Sequence, residues 1–188
     1  MFDSLIEKDI ELFLYLNNLG TLQWDGFWLF ITDKYKAIPL YIVLLYITFK
    51  QFGFKKTILV LFFVIVLITI SDQTSNLFKY GFKRLRPCHD ESLINLMRLV
   101  KERCGGLYSY FSAHAGNSMA IAVFFGLILK PTIKLKAIFL IFWALLVAYS
   151  RVYIGVHFPL DVLTGIFFGI LYGTLMYWMF NFFEKRIN

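Results

Sequence analysis

Charged residues are scarce in this sequence. Asp, Glu, Lys and Arg make up 16% of its 188 residues and hydrophobic residues 59%, whereas ordinary soluble domains contain about 25% charged residues. This composition excludes a typical soluble globular protein and predicts a membrane protein. The four prolines and twelve glycines form no linker, and no internal repeat or low-complexity tract is visible, so a single domain over 1–188 is expected. The N-terminus lacks the basic start and compact apolar core of a cleavable signal peptide.

Histidine and cysteine are also rare. The three histidines and two cysteines show no metal-ligand spacing, so neither a metal nor another cofactor is expected. Cys88 and Cys104 fall in one long loop. In an oxidising compartment they could form a disulfide whose loop of about 15 residues would contribute about 3 kcal/mol through loop-closure entropy; two free thiols are the alternative.

Five apolar stretches are long enough to cross a bilayer, which takes about 20 residues. The predicted fold is therefore all-α, an integral-membrane helical bundle. Residues 1–33 differ, because Ile6, Ile10, Phe13 and Leu14 share one helical face. This pattern predicts an amphipathic helix along the membrane interface, with a sixth crossing as the alternative. The five predicted spans are Ala37–Phe54, Lys56–Tyr80, Ser112–Leu129, Ile133–Tyr153 and Pro159–Phe183.

The distribution of basic residues predicts the orientation of the spans. The connections KQFGFKK and KPTIKLK and the tail EKRIN carry eight basic residues and one acidic residue, which places them in the cytoplasm by the positive-inside rule. Residues 81–111 and the turn at 154–158 then lie on the extracytoplasmic side of the plasma (inner) membrane. Because topology accounts for most of the net charge of +7, there is no reason to expect a nucleic-acid partner.

Polar residues from three distant segments meet on this outer side. A charge in hydrocarbon costs a few kcal/mol or more unless it is paired or lines a wet cavity, so charges there usually mark a site. The three segments are KYGFKRLRP, YFSAHAGNS and SRVYIGVHFPLD. The residues concerned are Lys79, Arg86, Ser112, His114, Arg151, His157 and Asp161.

The chemistry of these residues points to a phosphate group. Three cations with one nearby acid require an anion, and the planar fork of arginine suits phosphate oxygens. Of the two histidines, one could attack phosphorus while the other protonates the leaving oxygen. Asp161, four residues after His157, could accept its ring N–H and fix its tautomer. The alternatives are a structural pair with interfacial anchors, or an anion transporter or channel.

The same motifs match a known family. KYGFKRLRP has a lysine, six residues and then Arg-Pro, and SRVYIGVHFPLD has Ser-Arg, five residues, His, three residues and Asp. FSAH stands where the family has Pro-Ser-Gly-His, with Phe111 for proline and Ala113 for glycine. The chain thus resembles the type 2 phosphatidic acid phosphatases (PAP2), the integral-membrane branch of a superfamily that also includes vanadium haloperoxidases.

The resemblance implies a role for each matching residue. His157 would be the nucleophile that forms a phosphohistidine, Asp161 its orienting partner, and His114 the general acid that later activates water. The phosphate would be bound by Lys79, Arg86, Arg151, Ser112 and the backbone N–H of Ala113, without a metal cofactor.

A lipid phosphate is the predicted substrate, because little sequence outside the membrane is available to grip a soluble one. Among family members of this size, undecaprenyl diphosphate is favoured, followed by phosphatidic acid or phosphatidylglycerol phosphate. A lipid A phosphatase and a lipid phosphoryl transferase are further alternatives. The predicted partners are thus the lipid substrate and the bilayer, and no oligomeric state is predicted.

Three expectations concern neighbouring residues. Pro159 is suited to begin the last helix, which leaves His157 in the preceding turn. Lys83 and Arg84 are expected to be outer-surface charges near lipid headgroups or to attract anionic substrates. Asp72 shares a helical face with Lys79, so it either supports that lysine or satisfies polar groups between helices.

Overall fold

The computed structural model describes residues 2–129 and 134–186, and this part of the chain contains six α-helices and no β-strand. The predicted all-α fold class is therefore confirmed. A single 3₁₀ turn, Pro87–His89, lies in the long connection between the third and fourth helices. The helices are α1 Phe2–Asn18, α2 Leu22–Thr32, α3 Ile38–Phe82, α4 Ala113–Ile128, α5 Lys134–Tyr153 and α6 Pro159–Glu184.

Helices α3 and α6 are long and apolar enough to cross a membrane, whereas α4 and residues 137–153 of α5 form shorter apolar helices. Helix α3 covers both of the first two predicted spans. It is interrupted at Gly53, whose φ of 74° and ψ of 179° are not helical. Glycine allows the break at this position, because other residues rarely adopt such a conformation. The break falls within KQFGFKK, where the connection is predicted. Ile133, the predicted start of the fourth span, lies outside the described residues.

Helices α4 and α6 pack closely through glycines on α6. A Cβ atom built at Gly165, Gly169 or Gly173 would lie 2.6 to 2.7 Å from a carbonyl oxygen of α4 or of the residue directly before it. Small residues at such positions let two helix backbones approach each other directly. Where α4 and α6 begin, the Ser112 N–H donates to the Asp161 carbonyl at 3.0 Å. The first turns of α4 and α6 are thereby held side by side.

Residues 2–33 form two helices instead of the one predicted over 1–33, because the chain turns at residues 19–21 between α1 and α2. Helix α1 docks on the bundle through buried residues that include Phe13 and Asn17. The Asn17 amide donates to the Val152 and Tyr153 carbonyls at 3.2 and 2.8 Å and accepts from the Arg98 N–H at 2.7 Å. The side chain of Asn17 thus satisfies carbonyls at the C-terminal end of α5, which have no partner within that helix.

Candidate active site

A cavity of about 460 Å³ lies between α3, α4 and α5, beside the connection from α2 to α3. Six of the eight predicted site residues line it, although they come from three motifs that are far apart in the chain. Ser112 and Asp161 are fully buried and are not among the lining residues. The six lining residues are Lys79, Arg86, Ala113, His114, Arg151 and His157.

His157 lies in the turn between α5 and α6, as predicted, and its ring is held between Arg86 and Asp161. Its Nε2 atom lies 3.3 Å from Arg86 Nη1, and its Nδ1 atom lies 3.5 Å from Asp161 Oδ2. A guanidinium group can only donate, so Nε2 must offer its lone pair to Arg86. The proton is then assigned to Nδ1, facing Asp161. In this tautomer Nε2 is the nitrogen available to attack an electrophile.

The surroundings of His157 keep its imidazole neutral. The pKa of His157 is lowered well below its ordinary value of 6.5, first by burial and then by the nearby charges of Arg86 and Arg151. A protonated ring has no free lone pair. The low pKa therefore preserves the form of His157 that can act as a nucleophile at neutral pH.

Asp161 is fixed by the start of α6. It occupies the first turn of that helix, which begins at Pro159 as predicted. Its Oδ2 atom accepts the backbone N–H of Phe158 at 2.9 Å, and its Oδ1 atom accepts from Arg84 Nη1 at 3.1 Å. A carboxylate in the first turn also interacts favourably with the positive end of the helix dipole. The carboxylate therefore has little freedom to turn away from His157.

The start of α4 carries Ala113 and His114 at the wall of the cavity. Ser112 is the N-cap of α4, and its side-chain oxygen accepts the Ala115 N–H at 3.5 Å. The N–H groups of the first helical turn have no partner within the helix, which makes them suitable donors to an anion. Ala113, the first residue of α4, lines the cavity, so the alanine in place of the family's glycine keeps this N–H at the site.

Phe111, which stands where the family has proline, is fully buried. Its ring stacks on Phe168 of α6 with centroids 5.0 Å apart and meets Phe78 of α3 edge to face at 5.4 Å. The Phe111 carbonyl also accepts from Ser75 Oγ at 2.9 Å. The departure from the family motif thus fills the space between α3 and α6 and anchors the chain directly before Ser112.

Two buried arginines, Arg86 and Arg151, line the cavity. The Nε atoms of Arg86 and Arg151 are buried without a hydrogen-bond partner among the described residues. Arg151 also donates through Nη1 to Thr32 Oγ1, so the end of α2 helps to position it. Buried donors without a partner are costly, and a bound phosphate would satisfy them.

Other polar residues lie near the site. Asp72 of α3 accepts from Asn117 Nδ2 of α4 at 2.9 Å, so it satisfies a polar group between helices, the second of the two roles expected for it. Both residues line the cavity. The prediction that Arg84 is an outer-surface charge is wrong: its guanidinium is largely buried and contacts both Asp9 and Asp161. Asp9 and Thr32 were not singled out because they lie in the N-terminal helices, far from the motifs in sequence.

The loop between α3 and α4 is organised around the motif that contains Arg86. The Arg86 N–H donates to the Leu107 carbonyl at 3.1 Å, and the Ser109 N–H donates to the Arg84 carbonyl at 2.8 Å. A disulfide joins Cys88 to Cys104, with Cα atoms 5.9 Å apart. The first of the two alternatives for these cysteines is therefore the one observed. Among the described residues, no group of three or more histidines, cysteines and acids could hold a metal ion.

Comparison with known proteins places these observations in context. The model of the PAP2 superfamily matches residues 57–185. A lipid A 4'-phosphatase of Bacteroides thetaiotaomicron is 32% identical over 190 residues, covering 100% of this chain and 84% of that protein. An undecaprenyl-diphosphatase of Sulfolobus acidocaldarius is 33% identical over 160 residues, covering 84% of this chain and 71% of that protein.

The fold is also similar to a solved structure. The crystal structure of the first transmembrane PAP2-type phosphatidylglycerolphosphate phosphatase from Bacillus subtilis matches with a TM-score of 0.71. The match covers 98% of this chain and 88% of that one, at 20% sequence identity. The six described helices therefore adopt the fold of a membrane phosphatase.

Proposed function

The chain belongs to the PAP2 superfamily of lipid phosphatases, and we propose that it hydrolyses its substrate through a phosphohistidine formed on His157. The observation that carries this proposal is the position of His157. Its Nε2 atom faces the Arg86 guanidinium at the wall of a cation-lined cavity, and its Nδ1 atom faces Asp161. His114 lines the same cavity and supplies the second proton-transferring group that the reaction needs.

The reaction proceeds in two displacements at phosphorus. In the first, the Nε2 lone pair of His157 attacks phosphorus, and His114 protonates the departing oxygen of the lipid. Asp161 stabilises the positive charge that develops on the ring. In the second, the neutral His114 removes a proton from water, the water oxygen attacks phosphorus, and the bond to Nε2 breaks. Inorganic phosphate leaves, and both histidines return to their starting forms.

The basic residues of the cavity stabilise charge on the transferring phosphoryl group. Arg86 and Arg151 provide the buried Nε donors, Lys79 adds a third cation, and the first-turn N–H of Ala113 adds a backbone donor. Arg86 exchanges its contact with His157 Nε2 for a phosphate oxygen when substrate binds. This exchange frees the nucleophile only when the phosphate is present.

We propose that the preferred substrate is lipid A that carries a 4'-phosphate. Undecaprenyl diphosphate, which the sequence alone favoured, is the second candidate. The relative that matches the entire chain is named as a lipid A 4'-phosphatase, whereas the undecaprenyl-diphosphatase matches a smaller part. The Asp72 and Asn117 pair in the cavity wall supports this order, because an acid and an amide can bond the hydroxyl and amide groups of a phosphorylated sugar.

The proposed topology has five spans. Helix α3 supplies two of them, one before and one after Gly53, and residues 1–33 lie on the outer surface. The cavity then opens on the extracytoplasmic side of the plasma (inner) membrane. The basic residues beside Gly53 support this orientation through the positive-inside rule. Cysteine labelling at Ser4 tests it: an impermeant reagent should label a Ser4→Cys variant in intact cells, whereas protection until lysis would indicate six spans.

The function is tested by phosphate release from a panel of lipid phosphates. The panel contains lipid A, undecaprenyl diphosphate, phosphatidic acid and phosphatidylglycerol phosphate, each with and without EDTA. Wild type should release phosphate in both conditions, and His157→Ala and His114→Ala should not. His89→Ala is the matched control, because His89 does not line the cavity. Activity of His157→Ala equal to that of wild type would refute the assignment of the nucleophile. Release of no phosphate by wild type from any lipid in the panel would refute the function, and the transport alternative would then be preferred.

The intermediate has its own test. Wild type mixed with a substrate labelled with ³²P and quenched in alkali should carry label that is lost in acid, as expected for a phosphohistidine. Millimolar vanadate, a phosphate mimic, should inhibit release. Label that persists on His157→Ala, or activity that is unaffected by vanadate, would contradict the mechanism.

A further inference from the structure

A buried arginine lies behind the Asp161 carboxylate, on the side away from the cavity. The Arg84 guanidinium donates through Nη1 to Asp161 Oδ1 at 3.1 Å. Its Nη2 atom lies 2.7 Å from Asp9 Oδ2, where the two side chains form an ion pair. Arg84 is not among the residues that line the cavity. It therefore connects the carboxylate that faces His157 to α1, more than 150 positions earlier in the sequence.

The same contacts clamp the turn that carries His157. The other oxygen of Asp9, Oδ1, accepts the backbone N–H of Leu160 at 2.8 Å. The Arg84 guanidinium lies over the Phe158 ring at 3.9 Å from its centroid, and the ring of Phe13 in α1 meets Phe158 edge to face at 5.2 Å. Phe158 and Leu160, which closely follow the nucleophile, are thus held by groups outside α6.

Burial distinguishes this bridge from a surface salt bridge. The side chains of Arg84, Asp9 and Asp161 are 18%, 6% and 0% exposed. Exposed ion pairs contribute little, but removing one partner of a buried pair leaves an uncompensated charge. Without Arg84, two buried carboxylates would face each other across the gap, and the Asp161 carboxylate would lose the partner that opposes His157.

We propose that Arg84 and Asp9 are positioning residues that act through Asp161 on His157. This inference rests on the proposed function, because it assumes that His157 is the nucleophile. Arg84 pairs with Asp161 Oδ1 and leaves Oδ2 directed at His157 Nδ1, so it holds the carboxylate in the orientation that selects the reactive tautomer. Asp9 in turn fixes Arg84 and the Leu160 N–H. Helix α1 is therefore part of the support of the active site.

The test compares kcat with KM in purified full-length variants. Arg84→Gln and Asp9→Asn should lower kcat about 10- to 100-fold, the range expected when a charged hydrogen bond is lost. Their KM should stay within about twofold of wild type, because neither residue contacts the phosphate. Arg84→Lys keeps the charge but cannot reach both carboxylates at once, so its kcat should lie between those of wild type and Arg84→Gln.

Two controls separate positioning from general support of the fold. Arg98 is matched to Arg84, because it lies in the same loop and pairs with Asp25 of α2 at 2.9 Å. Arg98→Gln should lower the melting temperature but keep wild-type kcat. The second control adds Arg84→Gln to an Asp161→Asn variant. The kcat of this double variant should be less than about threefold below that of Asp161→Asn alone, because the group through which Arg84 acts has already been changed.

The outcomes distinguish this inference from the proposed function. If Arg84→Gln keeps wild-type kcat, or lowers kcat equally with and without Asp161→Asn, the positioning role is refuted while phosphate release dependent on His157 still stands. If wild type releases no phosphate, the function and the inference fail together. Should Arg84→Gln not fold, the isosteric Asp9→Asn decides: a wild-type kcat in Asp9→Asn refutes the bridge, and a decrease at constant KM supports it.

Discussion

Adding one methyl group to α6 at Gly169 should separate the two halves of the active site. A Cβ atom at this position would lie 2.6 Å from the Gly116 carbonyl oxygen and 2.8 Å from Met119 Cβ. Neither obstacle is the end of a flexible side chain, so one helix has to move. Ordinary contact begins near 3.4 Å, which requires α4 and α6 to separate by about 0.8 Å.

This displacement should affect both stability and rate. Overpacking of a close contact costs about 1 to 3 kcal/mol, which lowers the melting temperature of a protein of this size by about 5 °C. His114 is at the start of α4, whereas Asp161 is at the start of α6 and His157 lies just before it. A misplacement approaching 1 Å between catalytic groups costs up to about 100-fold in rate, so kcat should fall on the order of 10- to 100-fold.

The assay measures kcat for lipid phosphate hydrolysis and the melting temperature in detergent for Gly169→Ala. Gly26→Ala is the matched control: Gly26 is also in a helix, but a Cβ atom there has no neighbour within 4 Å. The control should keep wild-type kcat and a melting temperature at least equal to that of wild type, because alanine favours the helix more than glycine does. Wild-type kcat in Gly169→Ala would show that helix spacing does not control the site, and the packing explanation would be abandoned.

Three further predictions concern other parts of the chain. Asn17→Ala should lower the free energy of unfolding by about 3 kcal/mol, because it leaves buried carbonyls of α5 without a donor; an unchanged denaturation midpoint would contradict this. Cys104→Ser should change mobility on a non-reducing gel and lower the free energy of unfolding by about 3 kcal/mol, whereas free thiols in wild type would exclude the disulfide. The lowered pKa of His157 means that the unfolded chain binds a proton below about pH 6.5 that the folded protein does not, so the melting temperature should fall as pH decreases from 7.5 to 5.5. This decrease should be smaller in His157→Gln, and an identical pH dependence would refute the assignment of a low pKa.

The motifs located the residues of the cavity because each one contains charged or polar side chains within apolar sequence. His157, Arg151 and Lys79 stand out against their surroundings, and their cost in a membrane implies a purpose. Arg84 does not stand out, because it is one of four basic residues between Lys79 and Arg86 inclusive, and only its partners distinguish it.

The role of α1 had a weaker signal in the sequence. Asp9, Phe13 and Asn17 are spaced four residues apart and so lie on one helical face, and all three are buried. Two polar residues in line with a buried phenylalanine indicate a helix that docks on protein rather than on lipid alone. Which groups they would meet could not be predicted, because the partners are at residues 84, 98 and 152–160, and no local pattern specifies contacts over such separations.

The contact between Asp9 and Leu160 also constrains the order in which the protein is assembled. The chain is synthesised from its N-terminus, and 151 positions separate these two residues. Helix α1 can therefore make this contact only after the turn that follows α5 has been synthesised. Docking of α1 on this turn therefore follows synthesis of the residues that carry His157.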